Sequence, residues 1–188
     1  MTTQEKQKAL DAIAKEIENC ATCKAGKSGK AVPGEGNADA NVIFIGEAPG
    51  KKEAETGKPF IGRSGKLLRN LIQEAGLKEE EIFITSPVKY LPDRGTPIKA
   101  DIIHGMIHTQ KQLDCIDPNL IILLGSVATQ GVLNEKISVM KKHGEVVERN
   151  GKKYMIMFHP SAALRFPKIR KELTEDFKKL HTLISSNL

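Results

Sequence analysis

Short apolar runs alternate with amphipathic segments along most of this 188-residue chain. The segments NVIFIG and NLIILLG are continuous apolar stretches that stop at a glycine, a pattern typical of parallel strands buried on both faces. Residues 5–19 and 64–75 instead place apolar side chains at the three- and four-residue spacing of a helix. The alternation predicts an α/β fold in which helices cover both faces of a mostly parallel sheet.

The same alternation continues to the end of the chain. The segment EIFITSPVKY is predicted to be the second strand, and a helix is predicted over residues 99–115. The dipeptide Asn150-Gly151 predicts a tight hairpin turn, whose second strand ends at His159. A last helix is predicted over residues 169–184. With 39% hydrophobic residues and no internal repeat, the sequence predicts a single domain, residues 1–188.

Composition narrows the class of protein. The chain has 29 Lys plus Arg against 23 Asp plus Glu, and this net charge of +6 is compatible with an anionic partner such as nucleic acid. No apolar run reaches the roughly 18 residues needed to cross a bilayer, and MTTQEKQKAL lacks the apolar core of a signal peptide. We therefore expect a cytoplasmic protein with no membrane partner. Three cysteines, an odd number, argue against a disulfide framework.

Residues that could take part in binding or catalysis lie where the predicted strands end. Glu47 follows the first strand, Ser86 the second, Gly125-Ser126 the third and His159 the last. Ligands of open α/β sheets bind outside the carboxyl ends of the strands. We expect these residues, although far apart in sequence, to meet at one site.

The loop after the first strand, residues 46–64, is long for a connection in a compact α/β unit, and long ordered loops are usually functional. Its glycines let the backbone approach a ligand, and the amides that open the next helix can hold a phosphate. Neither GxxxxGK[ST] nor GxGxxG is present, so the loop is not a nucleotide-binding P-loop. Glu47 could orient a water molecule or simply accept loop amides. Phe60 could stack on a planar base or anchor the core.

His159 precedes a proline, which favours an extended conformation, and a neutral imidazole there could donate a hydrogen bond to a leaving group. In the following segment, SAALRFPKIRK, Leu164 and Phe166 stand among cations, and apolar wedges beside cations, with Leu164 exposed, suit a loop that enters a duplex and contacts its phosphates. A helix with a solvated basic face explains the charges equally well. The remaining histidines are interpreted as surface or satisfied residues: His104, His108, His143 and His181.

Four motifs in this order, GEAPGKKEAETGKPFIGRSGKLL, IFITSPVKY, LIILLGSVA and MFHPSAALRFP, resemble the family 4 uracil-DNA glycosylases. These are the iron–sulfur branch of the uracil-DNA glycosylase superfamily. The match extends from about Cys20 to Pro167. The resemblance implies a three-layer α/β/α sandwich around a mostly parallel four-stranded sheet.

The resemblance also implies roles for the matched residues. Glu47 matches the acid associated with the attacking water and the sugar, Phe60 the aromatic ring that stacks on the flipped base, and His159 the histidine that stabilises the departing base as an anion. The base-binding positions are Gly46, Ala48, Phe60 and Ser86. The implied DNA contacts are Gly62, Arg63, Ser64, Gly65, Gly125, Ser126, Ser161, Leu164 and Arg165.

One departure from the family pattern lies at the base-reading position. Where the family has an Asn whose amide reads both an oxygen and an N–H of uracil, this chain has Ser86. A hydroxyl can donate and accept, but it is shorter and cannot make the fixed bidentate pair.

The second departure concerns the cofactor. The family holds a four-iron cluster on four cysteines, of which Cys20 and Cys23 match the first pair. Tyr90 stands at the third position and His104 lies nearest the fourth, while Cys115 is roughly 16 Å further along the helix. Cluster ligation normally requires thiolates, so we expect no cofactor and loss of the iron–sulfur cluster. A labile metal bound by Cys20, Cys23 and His104 is the alternative.

The sequence therefore predicts a monofunctional DNA repair glycosylase that acts as a monomer. It would flip a deaminated base, uracil first among candidates, out of DNA and hydrolyse the N-glycosidic bond to leave an abasic site. One alternative is a non-catalytic protein that binds damaged or single-stranded DNA, having lost its base reader at Ser86. Another is a glycosylase for a different deaminated base such as hypoxanthine.

Overall fold

The computed structural model describes residues 1–186, and the predicted domain boundary at residue 188 lies outside them. In chain order the strands are β1 (Lys27–Ser28), β2 (Glu35–Gly36), β3 (Val42–Ile45), β4 (Ile82–Thr85), β5 (Leu91–Pro92), β6 (Leu120–Leu124), β7 (Val146–Arg149) and β8 (Lys152–Met157). The α-helices are α1 (Thr3–Asn19), α2 (Ala21–Lys24), α3 (Lys51–Thr56), α4 (Arg63–Glu74), α5 (Lys99–Ile116), α6 (Gly125–Leu133), α7 (Val139–Lys142), α8 (Pro160–Arg165) and α9 (Pro167–Ser185). Among these helices none is long and apolar enough to cross a membrane.

The main sheet has six strands in the order β2-β4-β3-β6-β8-β7. Its four central strands, β4, β3, β6 and β8, are mutually parallel, as the sequence predicts. The two edge strands extend it, because β2 and β7 pair antiparallel with β4 and β8. The hairpin between β7 and β8 turns at Asn150 and Gly151, both at positive φ, which confirms the predicted turn. A separate two-stranded ladder joins β1 to β5.

Helices cover both faces of the main sheet, so the predicted three-layer architecture is confirmed. In β3, Val42 and Phe44 face the core formed with α4, α8 and α9. Ile43 and Ile45, on the opposite face, pack in the core formed with α1, α5 and α6. Continuous burial of β3 and β6 explains why both strands are apolar at every position.

The segment after β4 differs from the sequence prediction. The strand ends at Thr85, and residues 86–90 leave the ladder while remaining buried. Helix α5 packs closely on this segment at Gly105, where a Cβ atom would lie 1.7 Å from the carbonyl oxygen of Pro87. One turn further along α5, Thr109 Oγ1 donates to the carbonyl oxygen of Ser86 at 3.3 Å. Packing against helix α5, rather than strand pairing, therefore accompanies the burial of this segment.

Candidate functional site

A cavity of about 440 Å³ opens at the carboxyl edge of the parallel strands. It lies where the chain leaves β3, β4 and β8, so residues separated by more than a hundred positions share its wall, as expected for this sheet type. Eight of the residues singled out from the sequence line it: Glu47, Ala48, Phe60, Ser64, Ser86, His159, Ser161 and Arg165. Their convergence is a geometric fact, whereas their roles stay predictions.

The turn that carries Phe60 is held by a buried carboxylate. Oε1 of Glu53, on helix α3, accepts hydrogen bonds from the backbone N–H groups of Ile61 at 2.8 Å and Gly62 at 2.7 Å. Glu53 is only 8% exposed. Hydrogen bonds to an ionised acceptor are stronger than neutral ones, so this residue fixes the position of the turn.

Arg69 of helix α4 reinforces the same turn from the other side. Its guanidinium donates to the carbonyl oxygens of Phe60 and Pro59, each at 3.1 Å. Phe60 itself has a φ of 51°, an unusual conformation for a bulky residue. Gly65, predicted to contact phosphate, is buried beneath this turn, where a Cβ atom would lie 1.9 Å from the carbonyl oxygen of Phe60. The absence of a side chain at Gly65 therefore allows the Phe60 turn to pack against helix α4.

His159 and Phe60 form the inner end of the cavity. Their ring centroids lie 5.7 Å apart with a 33° tilt. Gly46 lets the Phe60 ring approach the end of β3, because a Cβ atom there would lie 2.5 Å from that ring, whereas His159 Nε2, at 3.7 Å, would be in ordinary contact with it. Gly125, predicted to contact DNA, is buried with a φ of 87° and packs on His159 instead.

The hydrogen bonds of His159 fix its tautomer. Nδ1 accepts the backbone N–H of Ser161 at 3.2 Å and lies 2.8 Å from the Ser161 hydroxyl oxygen. Burial lowers the pKa of His159 to about 4, so the imidazole is neutral at physiological pH. A neutral ring that accepts at Nδ1 carries its proton on Nε2. His159 is therefore a neutral donor at Nε2.

Glu47 presents a carboxylate without a competing partner. Its side chain makes no hydrogen bond or ion pair to any of residues 1–186, although its backbone carbonyl accepts from Val88 N–H at 3.4 Å. Burial raises the pKa of Glu47 above its ordinary value. The carboxylate is thus free to bind a water molecule or a ligand in the cavity.

Ser86 is buried at 6% exposure, and its hydroxyl donates to the carbonyl oxygen of Val88 at 2.9 Å. The hydroxyl proton is therefore engaged in the turn. The oxygen keeps lone pairs that can accept a hydrogen bond from a ligand N–H. Ser86 consequently faces the cavity as an acceptor.

The segment that follows His159 differs from the prediction in one respect. Leu164 is half-buried and packs against the main core, so the expectation that it is exposed is wrong. Burial of the apolar face of α8 turns this side chain inward. Phe166 is instead 56% exposed at the end of that helix, next to the exposed Arg165.

Of the remaining predicted contacts, only Ser64 is among the residues that line the cavity. Gly62 is the residue that precedes α4, Arg63 is exposed and Ser64 lines the cavity. Ser126 is exposed in the first turn of α6.

A second group of polar residues lies away from the cavity. Cys20, Cys23, His104 and His108 each offer a ligand atom, and these atoms all lie within 4.8 Å of one another. Burial, together with the hydrogen bond to Cys20, raises the pKa of Cys23 to about 12. The group could hold a metal ion.

The structure corrects the interpretation of His108, whereas His104 has a hydrogen-bond partner, as expected. His108 is 3% exposed, and neither ring nitrogen has a hydrogen-bond partner among the described residues, so it is neither superficial nor satisfied. His104 Nε2 lies 3.1 Å from Cys20 Sγ. Likewise, His143 bonds to Asp176 and His181 is exposed and bonds to the carbonyl oxygen of Ala75, as expected.

Two residues of these sites were missed by sequence reasoning. His108 follows His104 by four positions, a spacing that places both on one face of a helix and could have identified it. Glu53 carries no such signal, because its role depends on the path of the loop eight residues later.

Comparison with known proteins adds independent information. The model of the uracil DNA glycosylase superfamily matches residues 33–181. The type-4 uracil-DNA glycosylase of Saccharolobus solfataricus is 43% identical over 188 residues, which cover 94% of this chain and 87% of the relative. The type-4 enzyme of Archaeoglobus fulgidus is 37% identical, with 93% of each chain covered. That of Thermotoga maritima is 31% identical, with 95% of this chain and 96% of the relative covered.

Proposed function

The chain belongs to the uracil-DNA glycosylase superfamily, and we propose that it removes uracil from DNA by hydrolysing the N-glycosidic bond, leaving an abasic site. The observation that carries this proposal is the convergence of Glu47, Phe60 and His159 on one cavity of about 440 Å³. A base stacked in a duplex cannot reach such a cavity, so the enzyme must extrude the nucleotide.

His159 supports departure of the base. As the glycosidic bond breaks, negative charge develops on the oxygens of uracil, and a fixed donor aimed at such an oxygen stabilises the transition state. The Nε2 proton of His159 supplies this donor, because the Ser161 N–H occupies Nδ1. Phe60 offers its ring to the extruded base beside this donor.

Glu47 acts on the sugar side of the bond. The departing base leaves an oxocarbenium-like sugar, and a nearby carboxylate stabilises its positive charge and orients the attacking water. Because Glu47 makes no side-chain hydrogen bond to the described residues, its oxygens are free for this water.

Ser86 distinguishes uracil from cytosine as an acceptor. Uracil carries a proton on N3, whereas N3 of cytosine is itself an acceptor, so a serine oxygen attracts the first and repels the second. The hydroxyl proton is committed to the Val88 carbonyl, which leaves only this accepting mode. Hypoxanthine also carries an N–H at its reading edge, so selection against it depends on the size of the cavity.

The DNA backbone contacts the rim of the cavity. We propose that Ser161, Arg165 and the exposed Phe166 meet the duplex, and that Phe166, rather than Leu164, is the apolar wedge. The turns at Gly62–Ser64 and Ser126 would contact phosphates.

The proposed catalytic residues all come from one chain, so the proposed site is complete in a monomer. Cytoplasmic location stays a prediction.

The four-iron cluster implied by the family resemblance does not suit the residues present. Such a cluster takes four thiolates, and the group here has two thiols and two imidazoles. The hydroxyl of Tyr90, at the third cysteine position, bonds to the carbonyl oxygens of Ile17 and Glu18. Cys115 Sγ lies 3.4 Å from the carbonyl oxygen of Lys6, outside the group. We propose that this cluster has been lost.

Incubation with a single-uracil oligonucleotide, followed by alkali, tests the activity. The parent protein should give breaks at the uracil, while Glu47→Ala and His159→Ala should lose about 100-fold or more in rate. Glu55→Ala, an exposed carboxylate of helix α3, is the matched control. Retention of the strand without breaks would favour the DNA-binding alternative, and breaks only at hypoxanthine would identify a different glycosylase.

A further inference from the structure

The group formed by Cys20, Cys23, His104 and His108 joins the N-terminal segment to the middle of the chain. Cys20 precedes the short helix α2, which contains Cys23, whereas both histidines lie on α5. Cys20 Sγ also accepts the backbone N–H of Cys23 at 3.4 Å, so the two sulfurs belong to one tight turn. The sequence separation between the two pairs exceeds eighty residues.

His108 is the observation that points to a ligand. Two buried ring nitrogens without a hydrogen-bond partner are costly, because each loses its contact with water and gains nothing. Glu16 Oε1 lies 3.7 Å from Nδ1, which is beyond hydrogen-bond distance. A cation among the four ligand atoms would remove this cost.

The spacing of the ligand atoms suits one ion rather than a cluster. Around a single tetrahedral zinc ion with bonds of about 2.0 to 2.3 Å, ligand atoms lie about 3.3 to 3.8 Å apart. The atoms here lie within 4.8 Å of one another, so a small inward adjustment would complete the shell. In a four-iron cluster each ligand binds a different iron atom, which requires wider separation.

We propose that Cys20, Cys23, His104 and His108 bind a single tetrahedral divalent ion of the zinc class through two sulfurs and two imidazole nitrogens. All four coordination positions come from protein, so the ion has no open position for a substrate and is structural. Binding releases the two thiol protons, and the two thiolates then balance the charge of the ion. The site adds His108 to the three ligands of the sequence-based alternative, a labile metal bound by Cys20, Cys23 and His104.

Glu16 completes the arrangement from outside the coordination shell. When His108 binds the ion through Nε2, its Nδ1–H points to the carboxylate of Glu16, the usual outer partner of a metal-bound imidazole. Glu16 lies on α1, so the ion connects α1, α2 and α5. The proposal does not rest on the glycosylase activity.

Metal analysis of the wild-type protein, purified without oxygen from cells supplied with zinc and iron, is the first test. We expect one zinc ion per chain and no visible absorption. Exchange into Co²⁺ should produce the intense visible bands of a tetrahedral cobalt site. Iron and inorganic sulfide in several equivalents, or a metal-free protein that binds neither ion, would overturn the proposal.

Variants assign the ligands. His108→Ala and Cys20→Ala should lose the ion and the cobalt bands, while Cys115→Ala, a buried cysteine outside the group, should keep both. If the ligand variants do not fold, a mercurial thiol reagent added to the wild-type protein should release one zinc ion, measured with a colorimetric chelator. Retention of the ion by His108→Ala, or no release by the reagent, would refute the assignment.

Discussion

The neutral state of His159 predicts how protein stability depends on pH. In the folded protein its pKa is about 4, whereas in the unfolded chain it returns to its ordinary value of 6.5. Between these values the unfolded state binds the proton and the folded state does not. Stability therefore falls as the pH is lowered from about 6.5 to about 4, and this contribution is constant outside that window.

The magnitude follows from the pKa difference. About 2.5 pH units, at about 1.4 kcal/mol each, correspond to about 3 kcal/mol of unfolding free energy. Because His159 faces the cavity and keeps some contact with water, this value is an upper bound. His159→Gln removes the titrating group, so the variant should become more stable relative to the wild type as the pH falls.

Urea unfolding, followed by circular dichroism between pH 4 and 8, measures the effect. Other groups that titrate in acid cancel when the unfolding free energies of the two proteins are subtracted at each pH. His181→Gln, which changes an exposed histidine, provides the control. If the difference for His159→Gln stays constant across this range, the imidazole is not held neutral by burial and the proposed donor at Nε2 loses its basis.

Three further predictions concern the cavity. Because burial raises the pKa of Glu47 and the carboxylate must be ionised, base release should increase with pH above the range of an ordinary glutamate, and Glu47→Gln should abolish this limb of the rate profile. Glu53→Ala should lower stability by about 3 kcal/mol and reduce uracil excision, since two hydrogen bonds to an ionised acceptor are lost. Glu53→Gln, which keeps the oxygen, should lose less than half as much. Ser86→Asn should raise the rate of uracil excision, because an amide can both accept from the N3–H of uracil and donate to the neighbouring carbonyl oxygen.

Each of these predictions has a result that contradicts it. A Glu47→Gln enzyme with the pH profile of the parent would exclude this carboxylate as the titrating group. Equal stability of Glu53→Ala and Glu55→Ala would show that the Phe60 turn does not depend on the buried acceptor. An unchanged rate of uracil excision in Ser86→Asn would remove Ser86 from the base-reading position.

The parallel core of the sheet could be predicted because β3 and β6 are apolar at every position, which only burial on both faces explains. The edge strand β2 could not, because its two residues, Glu35 and Gly36, are specified by pairing with β4 and carry no pattern of their own. Glu47 and His159 could be identified as candidates from the sequence, because ligands of such sheets bind at the carboxyl ends of the strands. The inward turn of Leu164 depended on how α8 packs, which the local sequence does not encode.

The close contact of helix α5 with the turn after β4 links the position of Ser86, the proposed base reader, to a residue outside the cavity lining. Any side chain at Gly105 would meet the carbonyl oxygen of Pro87 and force the helix away from Ser86, taking the Thr109 hydroxyl with it. On the role proposed for Ser86, Gly105 would influence lesion preference through the side chain that it lacks. Selection experiments for altered lesion preference should therefore include position 105 alongside the residues that touch the base.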